Sequence, residues 1–102
     1  MFIDSHCHVD LNDNISDVVS RARNKNVKII VNNGVNIETN RKSLILSEEF
    51  NEIKAALGVY PSEGVKMSVR ELDEEIAFIR KNKSKIVAIG EVGMDLKELT
   101  SL

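Results

Sequence analysis

The chain has 102 residues, 42% of them hydrophobic and 29% charged, with a formal net charge of −2. That is the length and balance of one globular domain, and it excludes a protein that grips nucleic acid through overall basicity, which needs an excess of Lys and Arg. A single cysteine cannot close an internal disulfide, no basic-then-apolar leader is visible, and no apolar run approaches the roughly 20 residues of a membrane-spanning helix. A reducing, cytoplasmic setting with no membrane partner is therefore expected.

In chain order, four short runs rich in β-branched residues read as strands: Phe2–Asp4, Val27–Val31, Ile53–Val59 and Ile86–Ile89. Three stretches of helical periodicity separate them. Ile15, Val18, Val19 and Ala22 fall at i, i+3, i+4 and i+7, an amphipathic stripe that Asn14 or Asp13 can cap. A noisier stripe runs from Ile37 to Phe50. Val69, Leu72, Ile76 and Ile79 form the third, and Ser68 with Glu71 has the spacing of a capping box. The first three strands recur about every 26 residues and the fourth follows after about 32, the pitch of β-α units with short connections. The fold class expected is α/β: a single domain over residues 1–102, with parallel strands joined by right-handed crossovers and about four strands and three helices.

Such a topology gathers active residues at the carboxyl ends of the strands. His6 and His8 follow the first strand, and alternate positions of a strand face the same way, so both imidazoles can meet one cation while Cys7 faces the other way as a small apolar side chain. Two histidines at this spacing can also be satisfied by local hydrogen bonds. Glu91, which follows the fourth strand between Gly90 and Gly93, tips the balance: two imidazoles and a carboxylate suit zinc and similar divalent ions. Asp95 reads either as an acceptor that orients a ligand or as a solvated loop residue. Asp10 reads as a loop group or one that supports a ligand from behind, and Asp4 as a hydrogen-bonding group deeper in the core. Asn32-Asn33-Gly34 and Tyr60-Pro61-Ser62 read as turns first, with Ser62 in reach of substrate. The cluster Arg80, Lys81, Lys83, Lys85 ends the third helix, on the face opposite the site, where it favours the helix dipole.

Three blocks, Met1-Phe2-Ile3-Asp4-Ser5-His6-Cys7-His8-Val9-Asp10, Gly58-Val59-Tyr60-Pro61 and Ile89-Gly90-Glu91-Val92-Gly93-Met94-Asp95, together resemble the TatD family of metal-dependent hydrolases, in order and in spacing. The resemblance implies the N-terminal half of a TIM-barrel-like (β/α)8 fold and one or two divalent metal ions (Zn, Mg or Mn). It also implies hydrolysis of phosphodiesters by a metal-activated water, with DNA as the leading substrate. His6 and His8 would bind one metal and Glu91 would bind or bridge, as both ligand and catalytic group.

Two departures from the family accompany it. Ser62 stands where the family often has a histidine. The family's further ligands, two histidines and an aspartate, come from its second half, and the chain has no histidine after His8. Four strands cannot close a barrel, so two edges and an apolar inner face are expected to be open. The chain is then expected to be a fragment, to require a separate C-terminal half, or to pair with a second copy of itself. Two other functions compete with the nuclease: a catalytically incomplete structural or interaction module, and an amidohydrolase-type enzyme acting on a small cyclic amide or ester.

Overall fold

The computed structural model describes residues 1–97. Strands β1 (Phe2–Cys7), β2 (Val27–Asn33), β3 (Ile53–Leu57) and β4 (Ala88–Ile89) form one sheet in the order β1-β2-β3-β4. Every neighbouring pair is parallel. Helices α1 (Ile15–Asn24), α2 (Ile37–Glu49), α3 (Pro61–Gly64) and α4 (Val69–Lys81) lie in the connections, and single 3-10 turns occupy Val9–Leu11 and Lys83–Lys85. The architecture is the expected α/β array, a curled half of a (β/α) barrel.

Local chemistry sets the helix starts. The side chain of Asn14 accepts from the Asp17 amide at 3.2 Å and opens α1. Reciprocal capping boxes open the two long helices, Asn36 with Thr39 for α2 and Ser68 with Glu71 for α4, each satisfying amides that the first turn would otherwise leave unpaired. Asn26, the one described non-glycine residue with positive φ, turns the chain from α1 into β2, and its carbonyl accepts from the Phe2 amide at 2.9 Å.

The helices bury their stripes in two adjoining clusters. Val9, Val19, Leu46 and Ile53 form one, with Cys7, Ile15, Val18 and Phe50 packed against it; Leu44, Ala55, Leu57 and Ile79 form the other, with Phe78 and Ile86 alongside. The outer strands are less covered. Phe2 on β1 is 65% exposed and Ile89 on β4 is 58% exposed, because each of these strands has a neighbour on one side only.

Several boundaries differ from the sequence expectation. β2 continues through Asn32 and Asn33, which are buried strand residues rather than a turn. Asn32 is tolerated there because its oxygen accepts from the Val9 amide at 2.7 Å and its amide donates to the Ser43 hydroxyl at 2.6 Å. Tyr60-Pro61-Ser62 enters a fourth, short helix. Pro61 takes the first helical position, which lacks a partner for an amide in any case, and the Tyr60 carbonyl accepts from Glu63 and Gly64. Asp4 lies on the exposed β1 edge, not deeper in the core.

Parallel pairing brings the carboxyl ends of the strands level. Cys7 pairs with Asn32 and Asn32 with Ala55, while Leu57 pairs with Ile89. The next residues along each strand, His8, Gly34, Gly58 and Gly90, therefore emerge at one rim.

Candidate metal centre

At that rim His6, His8 and Glu91 converge, each offering one ligand atom, with these atoms all within 4.8 Å of one another. The Nε2 of His8 is 3.2 Å from one Glu91 carboxylate oxygen, and the Nε2 of His6 is 3.8 Å from the other. The two rings meet edge to face with centroids 5.1 Å apart. In a tetrahedral site with bonds of about 2.0 Å, ligand atoms stand about 3.3 Å apart, so only small side-chain adjustments separate this arrangement from coordination.

The chain on either side of His8 is tied to β2. The Nδ1 of His8 lies 3.0 Å from the Asn33 carbonyl oxygen, and the Val9 amide is held by the buried Asn32 side chain. A carbonyl only accepts, so Nδ1 carries a proton and Nε2 is the ring nitrogen left to face Glu91 and to ligate a cation. His6 is tied less firmly: its amide donates to the Asp4 carboxylate at 3.2 Å, and its side chain is about half exposed.

Glu91 is placed by its backbone. Its amide donates to the Gly34 carbonyl at 3.1 Å and the Gly90 amide donates to the Leu57 carbonyl at 2.9 Å; the Gly90–Glu91 peptide is cis. Gly58 passes directly beneath. A Cβ at Gly58 would stand 2.5 Å from the Glu91 carbonyl oxygen and from the Gly90 carbonyl carbon, so only glycine permits this approach.

The remaining candidates lie elsewhere. Asp95 accepts a hydrogen bond from the Tyr60 hydroxyl, which links the loop after β4 to the loop after β3. Ser62 sits in α3, and no hydrogen bond joins it to the cluster among the described residues. Asp10 is buried in the 3-10 turn after His8. Its carbonyl accepts from Lys42 Nζ at 2.8 Å, and its Oδ1 is the one buried side-chain polar atom without a partner among the described residues. The Cys7 side chain turns into the core, where burial, followed by the nearby Asp4 carboxylate, pushes its thiol above the usual range. A protonated thiol facing away from the histidines is a poor ligand.

Sequence reasoning read Asn32 and Asn33 as a turn at the mouth of the site and missed Asn40. The first two secure His8, and Asn40 contacts Gly34 and Gly58, the glycines that touch the Glu91 segment. Asparagine beside glycine signals a turn, and only the strand pairing shows that these amides are buried.

Comparisons with known proteins identify the family and the fold. A family model described as TatD related DNase matches residues 3–101. An uncharacterized metal-dependent hydrolase of Methanocaldococcus jannaschii is 35% identical over 100 residues, covering 95% of this chain and 39% of its own. The deoxyribonuclease TATDN3 of Homo sapiens is 31% identical over 103 residues, covering 91% of this chain and 38% of its own. The crystal structure of YjjV, a TatD homolog from Escherichia coli K12, matches with a TM-score of 0.78 at 33% identity, over 93% of this chain and 38% of that one. The chain thus spans about four-tenths of the length of these relatives.

Proposed function

The chain belongs to the TatD family of metal-dependent hydrolases, and on that premise we propose that His6, His8 and Glu91 hold a divalent cation at the rim of a site that cleaves DNA phosphodiester bonds. The observation that carries this reading is the convergence of two imidazoles and one carboxylate, 83 residues apart in sequence between His8 and Glu91, on one set of ligand distances. The donor set favours zinc, with manganese or magnesium as alternatives, and the family resemblance extends the proposal to one ion or two. A bound cation of this kind supplies Lewis-acid charge neutralisation and water activation, chemistry that needs no basic surface and is compatible with a net charge of −2.

The chain's own groups divide the remaining work. The Asn33 carbonyl fixes the His8 ring so that Nε2 faces inward. The Glu91 carboxylate lies between the two imidazoles, where it can ligate and accept a proton. A hydrogen bond from Tyr60 to Asp95 joins the loop after β3 to the loop after β4 that carries Glu91. Residues 1–102 act as one partial-barrel domain in this reading. The exposed apolar residues of β1 and β4 support closure by further β-α units, from a C-terminal half or from a second copy of the chain.

The test is nuclease assay of the chain, alone and with a supplied C-terminal half, on single- and double-stranded DNA with Mg²⁺, Mn²⁺ or Zn²⁺. Cleavage that needs the metal and is lost in Glu91→Gln is expected. Cleavage unchanged in Glu91→Gln would overturn the role given to that residue.

A further inference from the structure

Behind the rim lies a buried polar cluster with no counterpart in the ligand set. Asn40 of α2 is fully buried, and its side chain clasps the backbone of Gly58 from both sides: its amide donates to the Gly58 carbonyl at 2.9 Å, and its oxygen accepts from the Gly58 amide at 3.2 Å. The second amide hydrogen goes to Glu75 of α4 at 2.7 Å. Glu75, 1% exposed, receives both arms of the Arg41 guanidinium at 2.8 and 2.9 Å, and that guanidinium is stacked on the Phe78 ring.

These bonds leave the Asn40 amide one orientation. Reversing it would face NH₂ against the Gly58 amide and oxygen against the Glu75 carboxylate. The same side chain packs against Gly34, where any Cβ would overlap its oxygen. Asn40 is thereby in contact with both glycines that touch the Glu91 segment: Gly34, whose carbonyl receives the Glu91 amide, and Gly58, whose backbone lies against the Gly90–Glu91 peptide.

We infer that Asn40, oriented by the Glu75–Arg41 pair, is a positioning residue that sets where Glu91 stands relative to His6 and His8, and so sets metal affinity without touching the metal. The inference rests on the proposed ligand role of Glu91. Its physical basis is that a ligand on a glycine-flanked loop has no helix or strand to fix its backbone, so the surfaces beneath the loop must.

The experiment is titration of the chain with Co²⁺, followed by the visible absorption band, for the parent, Asn40→Ala, Glu75→Gln, Glu91→Gln and Ile53→Ala. Ile53 begins β3 at the far end of the sheet and reports the effect of core destabilisation alone. Asn40→Ala should weaken Co²⁺ binding at least about tenfold and alter the band, as loss of a group supporting a ligand does. Glu75→Gln should shift both in the same direction, and Ile53→Ala should bind as the parent does. Parental affinity and band in Asn40→Ala, with Glu91→Gln weakened, overturn the inference and leave the ligand set standing. Parental binding in Glu91→Gln, or no binding by the parent, overturns both. Should Asn40→Ala not fold, Glu75→Gln decides: a parental titration there refutes the positioning role.

Discussion

The Nδ1 atom of His8 donates to the carbonyl oxygen of Asn33 across 3.0 Å, tying a ring at the end of β1 to the backbone of β2. One ring nitrogen is thereby protonated and the other is presented to Glu91, 3.2 Å away. In the chain loaded with Zn²⁺, nitrogen-detected NMR should show His8 protonated at Nδ1 and coordinated through Nε2. A dominant Nε2–H form for His8 would contradict the arrangement.

Asn32 should matter to stability more than its place beside a glycine turn suggests. Replacing it by Leu leaves the Val9 amide and the Ser43 hydroxyl without these partners, at a cost of about 2 kcal/mol or more. Urea unfolding checks this, and a loss within about 0.5 kcal/mol, as at an ordinary surface site, would be contrary.

The Arg41–Glu75 pair should behave as a buried charge with one wet partner. Arg41→Met strands a carboxylate that is 1% exposed and should cost about 3 kcal/mol. Adding Glu75→Gln removes that stranded charge, so the double variant should regain part of the loss. Additive losses in the two variants would show that the residues do not act as a pair.

Acid should weaken two named carboxylates. The Arg23 guanidinium, 2.7 Å away, holds Glu52 below the usual glutamate range, and the Ser68 backbone amide followed by its hydroxyl does the same to Glu71. Because both folded values are depressed, the stabilisation is present above the ordinary glutamate range and is lost as pH falls through the folded values. The thermal-melting advantage of the parent over Arg23→Gln and over Glu71→Gln should therefore shrink as pH drops below that range. An advantage that stays constant with pH would contradict both assignments.

Much of the architecture was legible because β-α alternation leaves a direct periodic trace. The stripe Ile15–Ala22 and the Ser68–Glu71 box anticipate α1 and α4 closely, and the spacing of the strand runs anticipates their parallel order. Strand ends were less legible, since Asn32 and Asn33 are turn formers by propensity and strand residues only through pairing, Asn32 with β1 and β3 and Asn33 with β3. Pro61 signalled a turn, and the helix it starts is a single turn long. The convergence of His6, His8 and Glu91 was visible from topology, because each stands near the carboxyl end of a strand of one parallel sheet, although β1 runs on through His6 and only His8 and Glu91 follow their strands. Asn40 was not, since a polar residue in a noisy helical stripe gives no sign that two glycine loops and a buried carboxylate meet on it.

The most direct test of the proposed site is a crystal of the chain grown with Zn²⁺ and measured on either side of the zinc absorption edge. The expected result is an anomalous peak about 2.0–2.2 Å from Nε2 of His6, Nε2 of His8 and a Glu91 carboxylate oxygen. A zinc peak bound elsewhere, with none among these three side chains, would contradict the assignment.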